Sequence, residues 1–348
     1  MIRIVRRFIR WWTSLRLLGV ALLALAFLIG VLGYLDQLGL LSLQEAPRQI
    51  LAEFYASASV ELAGIAIIIF IVESLFQRRG TDREREQLVL QLASSDSASA
   101  LEAVRALRTH GWLRDGSVNK ANLHAANLRE ANLQWASLRE ANLREASLQG
   151  ANLTHADLQG ANLGEAKLQG ANLKEADLQD ANLMRADLQD ANLTDANLQG
   201  ASPYEANLQG ANLKYASLQD VNLMRVNLQG ANLTDADLQD ANLKYANLQD
   251  AHLKDANLQD ANLKRANLQH ADLVGVNLQG ANLWIANLHD ADLEQANLRG
   301  ALLGGTNLQG ANLKGARYDS ATMWPAGFTP PLEAVDSDDE VGQDDLAE

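Results

Sequence analysis

Residues 121–160 read ANLHAANLREANLQWASLREANLREASLQGANLTHADLQG, and the same five-residue register continues without a gap to Pro325. The first position of the unit is Ala in 37 of 41 units, with Val221, Val226, Val276 and Thr306 as exceptions. The third is Leu in 38, with Pro203, Tyr318 and Met323 departing. No ordinary element has this period. On an α-helix five residues advance the chain by about 500°, which would spread the leucines over every face; in a straight strand an odd period sends them alternately to both sides. Only a chain that turns every five residues keeps all the Ala and Leu on one side. Closed coils of such short strands, stacked at about 4.8 Å, pair their interior backbone groups and fill the centre with Leu and Ala.

The units ANLQG, ADLQD and ANLKY resemble the A(D/N)LXX motif of the pentapeptide-repeat proteins across residues 121–325. That resemblance implies a mainly β fold, a right-handed quadrilateral β-helix with four units, or about 20 residues, in each coil. It also implies that Leu and the Ala two before it point inward and the other three positions outward. The repeat would then form about ten coils, a rod of roughly 50 Å. The ending YDSATMWPAGFTP (318–330) resembles the usual close of such domains. A longer period is visible where MRADLQDANLTD (184–195) recurs as MRVNLQGANLTD (224–235), which suggests duplication in pairs of coils.

Outside the repeat the chain changes character. Residues 17–35, LLGVALLALAFLIGVLGYL, are uncharged and apolar, and 57–77 surround a second run, LAGIAIIIFIV (62–72), so two transmembrane α-helices are predicted. A cleaved signal peptide is the rival for the first, but its apolar run exceeds the usual h-region and Asp36 follows without a small-x-small site. Trp11 and Trp12 stand where an interfacial aromatic belt would lie. Arg3, Arg6, Arg7, Arg10 and Arg16 precede the first span and Arg78, Arg79, Arg83 and Arg85 follow the second, which predicts both ends in the cytoplasm of a bacterial-type inner or other cellular membrane. Two short helices should follow, opened by capping boxes at Thr81–Glu84 and Ser99–Glu102, with Gly111 stopping the second. Leu101, Val104 and Leu107 give that second helix an apolar stripe suited to cover the first coil. With HGWLRDGS (110–117), this N-terminal module resembles the membrane-anchored members of the family. The expected organisation is thus a membrane anchor over 1–80, a helical linker and cap over 81–115, the β-helix over 116–328 and a disordered acidic tail over 329–348.

Charge is unevenly placed. Residues 1–115 carry 13 basic and 11 acidic side chains, 116–325 carry 16 and 24, and 326–348 carry none and 8. An acidic body disfavours nonspecific nucleic-acid binding, so no nucleic-acid partner is expected. Summed by face at one-coil spacing, the walls centred on Leu128, Leu133 and Leu138 carry 2 basic against 5 acidic, 4 against 7, and 3 against 9 residues. The fourth wall, centred on Leu123, Leu143, Leu163, Leu183, Pro203 and Leu223, carries 6 against 3. Its outward columns hold Met184, Tyr204, Met224, Lys244, Lys264 and Trp284, then Glu165, Arg185, Glu205, Arg225, Tyr245, Arg265 and Ile285, with Leu302 nearby and Gly304 and Gly305 clearing space. Aromatics, Met and Arg favour binding patches, so this wall is the candidate interaction face; drift among solvent-facing positions is the bland alternative.

Other constellations are weaker. Asp250, His270 and Asp290 fall in one column with His289 beside it, types that could bind a divalent metal, yet a flat wall rarely converges four ligands and a solvated polar ladder is the expectation. The stacked Gln149, Gln169, Gln189, Gln209, Gln229, Gln249 and Gln269 suggest an amide ladder. Glu61 is a candidate intramembrane polar group, more simply an interfacial carboxylate. There is no cysteine, phosphate loop, nucleophile elbow or zinc-protease motif, so neither enzyme activity nor a cofactor is expected. These readings favour a cytoplasm-facing, membrane-anchored scaffold for an unknown protein partner or an anionic lipid surface. The alternatives are a DNA-mimic inhibitor of a topoisomerase, as the family resemblance suggests, and a membrane transport or signalling component using Glu61.

Overall fold

The computed structural model describes residues 18–32, 34–35, 48–331 and 335–336. It forms two compact units, Met1–Glu84 and Arg85–Glu348.

In the first unit helix α1, Leu18–Leu32, packs antiparallel on helix α2, Arg48–Leu92. A Cβ added to Gly19 would lie 3.4 Å from Ile69 and Phe70, and one on Gly30 would lie 3.9 Å from Ser59. Ala26 and Ala66 are buried, so small side chains bring the two backbones together, as helices in an apolar medium do. Among the described residues one helix, at Ala56–Leu92, is long and apolar enough to cross a membrane by length and composition. The expected first span at 17–35 is described as the helix α1, Leu18–Leu32, and again as helix at 34–35, while the second, over 57–77, falls within the helix that meets this length and composition. Arg3, Arg6, Arg7, Arg10, Trp11, Trp12 and Arg16 lie outside the described residues.

The predicted break at Gly80 does not occur, because α2 continues to Leu92. One glycine costs a helix only about 1 kcal/mol, and the charged helix formers around it carry the turn through. The cap of the next helix, α3 (Ser97–Thr109), is Asp96 rather than Ser99: its carboxylate accepts from the Ser99 N–H at 2.9 Å. That bond holds the Asp96 carboxyl below its ordinary range.

From residue 118 the second unit is a four-cornered coil in which, Ser202 excepted, each second position from Asn122 to Asn297 bridges, in parallel, the residue 20 further on. One unit shows the bookkeeping. In 231–235 Ala231 N–H donates to Leu228 O at 3.0 Å, Asn232 N–H to Ala211 O at 2.9 Å, Leu233 N–H to His252 O at 2.6 Å and Asp235 N–H to Lys254 O at 3.0 Å. The remaining donor, Thr234 N–H, goes to the Asn232 side chain at 3.1 Å. All five N–H groups are satisfied, as a buried backbone requires. The Asn232 amide also donates to Asn212 one coil below at 3.2 Å, so Asn at the second position serves its own turn and a ladder between coils. This is the physical reason for A(N/D)L: Asp can accept the turn bond but cannot pass the ladder on. Every fifth position turns with a positive φ, between 54° and 62° for the non-glycine residues from Lys120 to Gln295. With a bond from the next Ala to the preceding Leu O, these are turns of the type II pattern.

Ala and Leu fill the centre, nearly all under 2% exposed through Leu303. Both ends of this core are closed. Ala100, Ala103, Val104 and Leu107 of α3 join the core with Leu113 and Val118, while Leu101 is only half-buried. The first coil's free edge is paired too: Asn127 N–H donates to Ser94 O at 2.9 Å and Ser137 N–H to Leu113 O at 2.7 Å. At the far end Tyr318, Trp324 and Phe328 pack on the last leucines. Here the register slips by one. Met323, expected to point inward, bridges Leu302 and is exposed, whereas Thr322 is buried with its hydroxyl donating to Leu298 O at 2.9 Å. Asp319 causes the extra residue by accepting bonds from the N–H groups of Gly300 and Ala321. Val335–Asp336 (β2) pairs in parallel with Arg317–Tyr318 (β1); the rest of the acidic tail beyond 331 lies outside the described residues.

Two further details differ from expectation. The glutamines of the column from Gln149 to Gln269 do not bond one another; Gln169 reaches Asp187 and Gln189 reaches Asp190, and the amide ladder is made by asparagines instead. Pro203 has no N–H to donate, and the bridge expected between Ser202 and Asn222 is missing. Val221 and Val226, in the coil that follows, add methyls where Pro203 removes leucine bulk.

Candidate interaction face

The fourth wall is assembled by the bridges Asn182↔Ser202, Asn222↔Asn242, Asn242↔Asn262, Asn262↔Asn282 and Asn282↔Leu302, which set the candidate side chains one coil apart. Met184, Tyr245, Trp284 and Ile285 are 39, 39, 43 and 46% exposed, Arg225 and Arg265 are exposed, and Tyr204, Met224, Lys244, Lys264 and Leu302 are half-buried. Trp284 leans over the next coil: a Cβ on Gly304 would stand 2.5 Å from its ring. Ile285 holds φ 59°, an unfavourable conformation for a β-branched residue, with its side chain in solvent. Such strain persists where the surrounding structure imposes it, here through the Ile285 N–H bond to Gly304 O at 3.0 Å.

Charge on this wall is organised around aromatic rings. Arg185 Nε meets Glu205 at 3.0 Å and Arg225 Nη1 meets its other oxygen at 3.1 Å. The Tyr204 hydroxyl and these two guanidiniums hold the Glu205 carboxyl below its ordinary range. Above them, the Tyr245 ring takes Arg225 at 6.0 Å, Lys244 at 5.2 Å and Arg265 at 5.7 Å, and Arg265 also donates to its hydroxyl at 3.4 Å. The sequence shows the Glu–Arg alternation but not the part played by the tyrosines, which depends on rotamers. Because the folded-state value of Glu205 is depressed, its link stabilises above the ordinary carboxylate range and is lost as pH falls through the folded value. Glu205→Gln is therefore expected to lower the melting temperature of fragment 85–348 at pH 7, with the gap to wild type closing as pH falls through the folded value.

Elsewhere, Trp135 stacks on His155 with centroids 3.9 Å apart on the wall of Leu133, a contact the one-coil spacing of the two rings could have revealed. Glu61 is exposed on α2, and among the described residues of the first unit Glu73 is a buried carboxylate, at 7%. Asp250, His270, His289 and Asp290 come together at one corner more closely than a flat wall would allow, with three of them offering ligand atoms within 4.8 Å of one another.

Comparison with known proteins agrees with this architecture. The sequence model for pentapeptide repeats matches in eight copies over 113–200, 206–244, 246–284 and 286–321. The solved structure of HetL, a pentapeptide repeat protein involved in heterocyst differentiation regulation from the cyanobacterium Nostoc sp. strain PCC 7120, is 40% identical, with 62% of this chain covering 95% of that one at a TM-score of 0.60. QnrB1, a plasmid-mediated fluoroquinolone resistance protein, is 17% identical over 50% of this chain and 91% of its own, at a TM-score of 0.30. A pentapeptide repeat protein of the Arabidopsis thaliana thylakoid lumen is 29% identical over 38% and 79%, at a TM-score of 0.24. No curated protein sequence matches. With its Ala–Asn–Leu units closed into the right-handed β-helix that such repeats imply, the chain belongs to the pentapeptide-repeat family.

Proposed function

We propose that this protein is a membrane-anchored, non-catalytic scaffold whose fourth wall holds an acidic protein partner. The observation that carries the reading is the concentration of cations and exposed apolar rings on one wall of an otherwise acidic rod. Arg225, Lys244 and Arg265 surround Tyr245, Lys264 stands in the column of Lys244 one coil on, and Trp284 and Ile285 continue the strip. Desolvated aromatic and Arg anchors dominate binding energies, while charges of one sign select the partner and speed its approach. The apolar part of the helix at Ala56–Leu92 supports anchoring, and Arg78, Arg79, Arg83 and Arg85 in its C-terminal part support a cytoplasmic rod.

The test has an anchoring arm and a face arm. The full chain should stay with membranes through an alkaline wash. An acidic protein captured from solubilised membranes should bind fragment 85–348 at least tenfold more weakly after Trp284→Ala, or after Lys244→Glu with Lys264→Glu. Thr234→Asp, on another wall, should leave that affinity unchanged. Equal affinity for all variants removes the proposed face. Salt-sensitive binding of the fragment to anionic vesicles, abolished by the same charge reversals, would instead make the partner a lipid surface.

A further inference from the structure

We propose that the corner formed by His270, His289 and Asp290 is a site for a divalent first-row transition ion of the zinc, nickel and copper group. His270 and Asp290 occupy the turn position of successive coils, and His289 immediately precedes Asp290. His289 Nδ1 lies 2.8 Å and His270 Nε2 lies 3.9 Å from the same carboxylate oxygen of Asp290. Two ligands held at about 2.1 Å around a tetrahedral ion stand roughly 3.4 Å apart, so these atoms, all within 4.8 Å of one another, reach one ion by side-chain adjustment alone.

Two independent features aim the set at an ion. Asp250, one coil before His270, contacts its Nδ1 at 3.2 Å and so directs Nε2 toward the cluster, the carboxylate–histidine arrangement that orients metal ligands. His289 Nδ1 is shut off from solvent and has no aligned hydrogen bond, although a carboxylate oxygen is beside it. Without a proton, that nitrogen presents a lone pair to another lone pair; an ion between them satisfies both. Gly310, in the next coil, leaves free the space the Asp290 carboxylate occupies, since any Cβ there would collide with it. Two imidazoles and one carboxylate are too soft a set for magnesium or calcium and suit zinc, nickel or copper, with water completing the shell on this half-exposed corner. Asp250 is a positioning residue; the other three are ligands.

The experiment uses the full chain in detergent, without a histidine tag, and zinc as the probe in equilibrium dialysis with excess magnesium. Wild type is expected to take up one ion per chain. His270→Gln or His289→Gln should weaken binding by at least tenfold, and Asp250→Asn by about 10- to 100-fold. His124→Gln, remote in sequence and on another wall, should leave uptake unchanged. Cobalt bound to wild type should give the visible absorption of a tetrahedral nitrogen–oxygen site, a readout that needs no variant. Zinc uptake that survives the double change His270→Gln with His289→Gln, or no competed uptake and no cobalt band in wild type, would overturn the site.

Discussion

Leu233→Asp should cost the β-helix on the order of 4 kcal/mol or more, while Thr234→Asp should cost under about 1 kcal/mol. Leu233 is fully buried, and its N–H and C=O are tied to His252 O at 2.6 Å and Ala236 N at 3.1 Å. The new carboxylate would be shut in among Leu and Ala with no cation in reach. It cannot be relieved by turning one unit outward, since that breaks the bridges to the coils on both sides. Thr234 sits one residue further on with its side chain outward, where a charge remains hydrated. Thermal or denaturant unfolding of fragment 85–348 carrying each change measures the difference. Equal melting of the two variants would show that the inward and outward positions have been misassigned.

Loss of the helical cap should have the next largest effect, and its form is self-association. Without residues 85–115, the edge of the first coil loses the partners Ser94 O and Leu113 O, and the buried Val104 and Leu107 are lost from the core. An open stack of parallel strands with an apolar interior is a template for a second copy, which is why solenoids end in caps. Fragment 85–331 should elute as a monomer and fragment 116–331 as oligomers or aggregate by size-exclusion chromatography with light scattering. The double change Val104→Asp with Leu107→Asp should act in the same direction. A monomeric 116–331 would mean that the first coil closes itself.

The period of five made the coil and its inward positions legible because the pattern is strict and no other element tolerates it. Where an adjacent group overrode local chemistry, the reading departed from the structure. Asp319 captured two backbone N–H groups and displaced Thr322 and Met323 by one position. Gly80 has helix formers on both sides and did not end α2, and Asp96 took the cap that Ser99–Glu102 had suggested. The amide ladder was assigned to glutamines because they stack in sequence, but the shorter Asn side chain holds its amide at the bridge while Gln reaches past it. On the fourth wall, membership of the face followed from spacing alone. The convergence of Lys244, Arg225 and Arg265 on the Tyr245 ring depends on rotamers that no spacing specifies. The approach of His270, His289 and Asp290 at one corner depends on rotamers in the same way.

The most direct measurement of the scaffold account is site-specific photocrosslinking in intact membranes, with a photoreactive side chain placed at Tyr245, at Trp284 or at Thr234 of the full chain. The account predicts one discrete protein adduct from Tyr245 and Trp284, weakened by Lys244→Glu with Lys264→Glu, and none from Thr234. Adducts of equal strength from all three positions, or none from any, would contradict it.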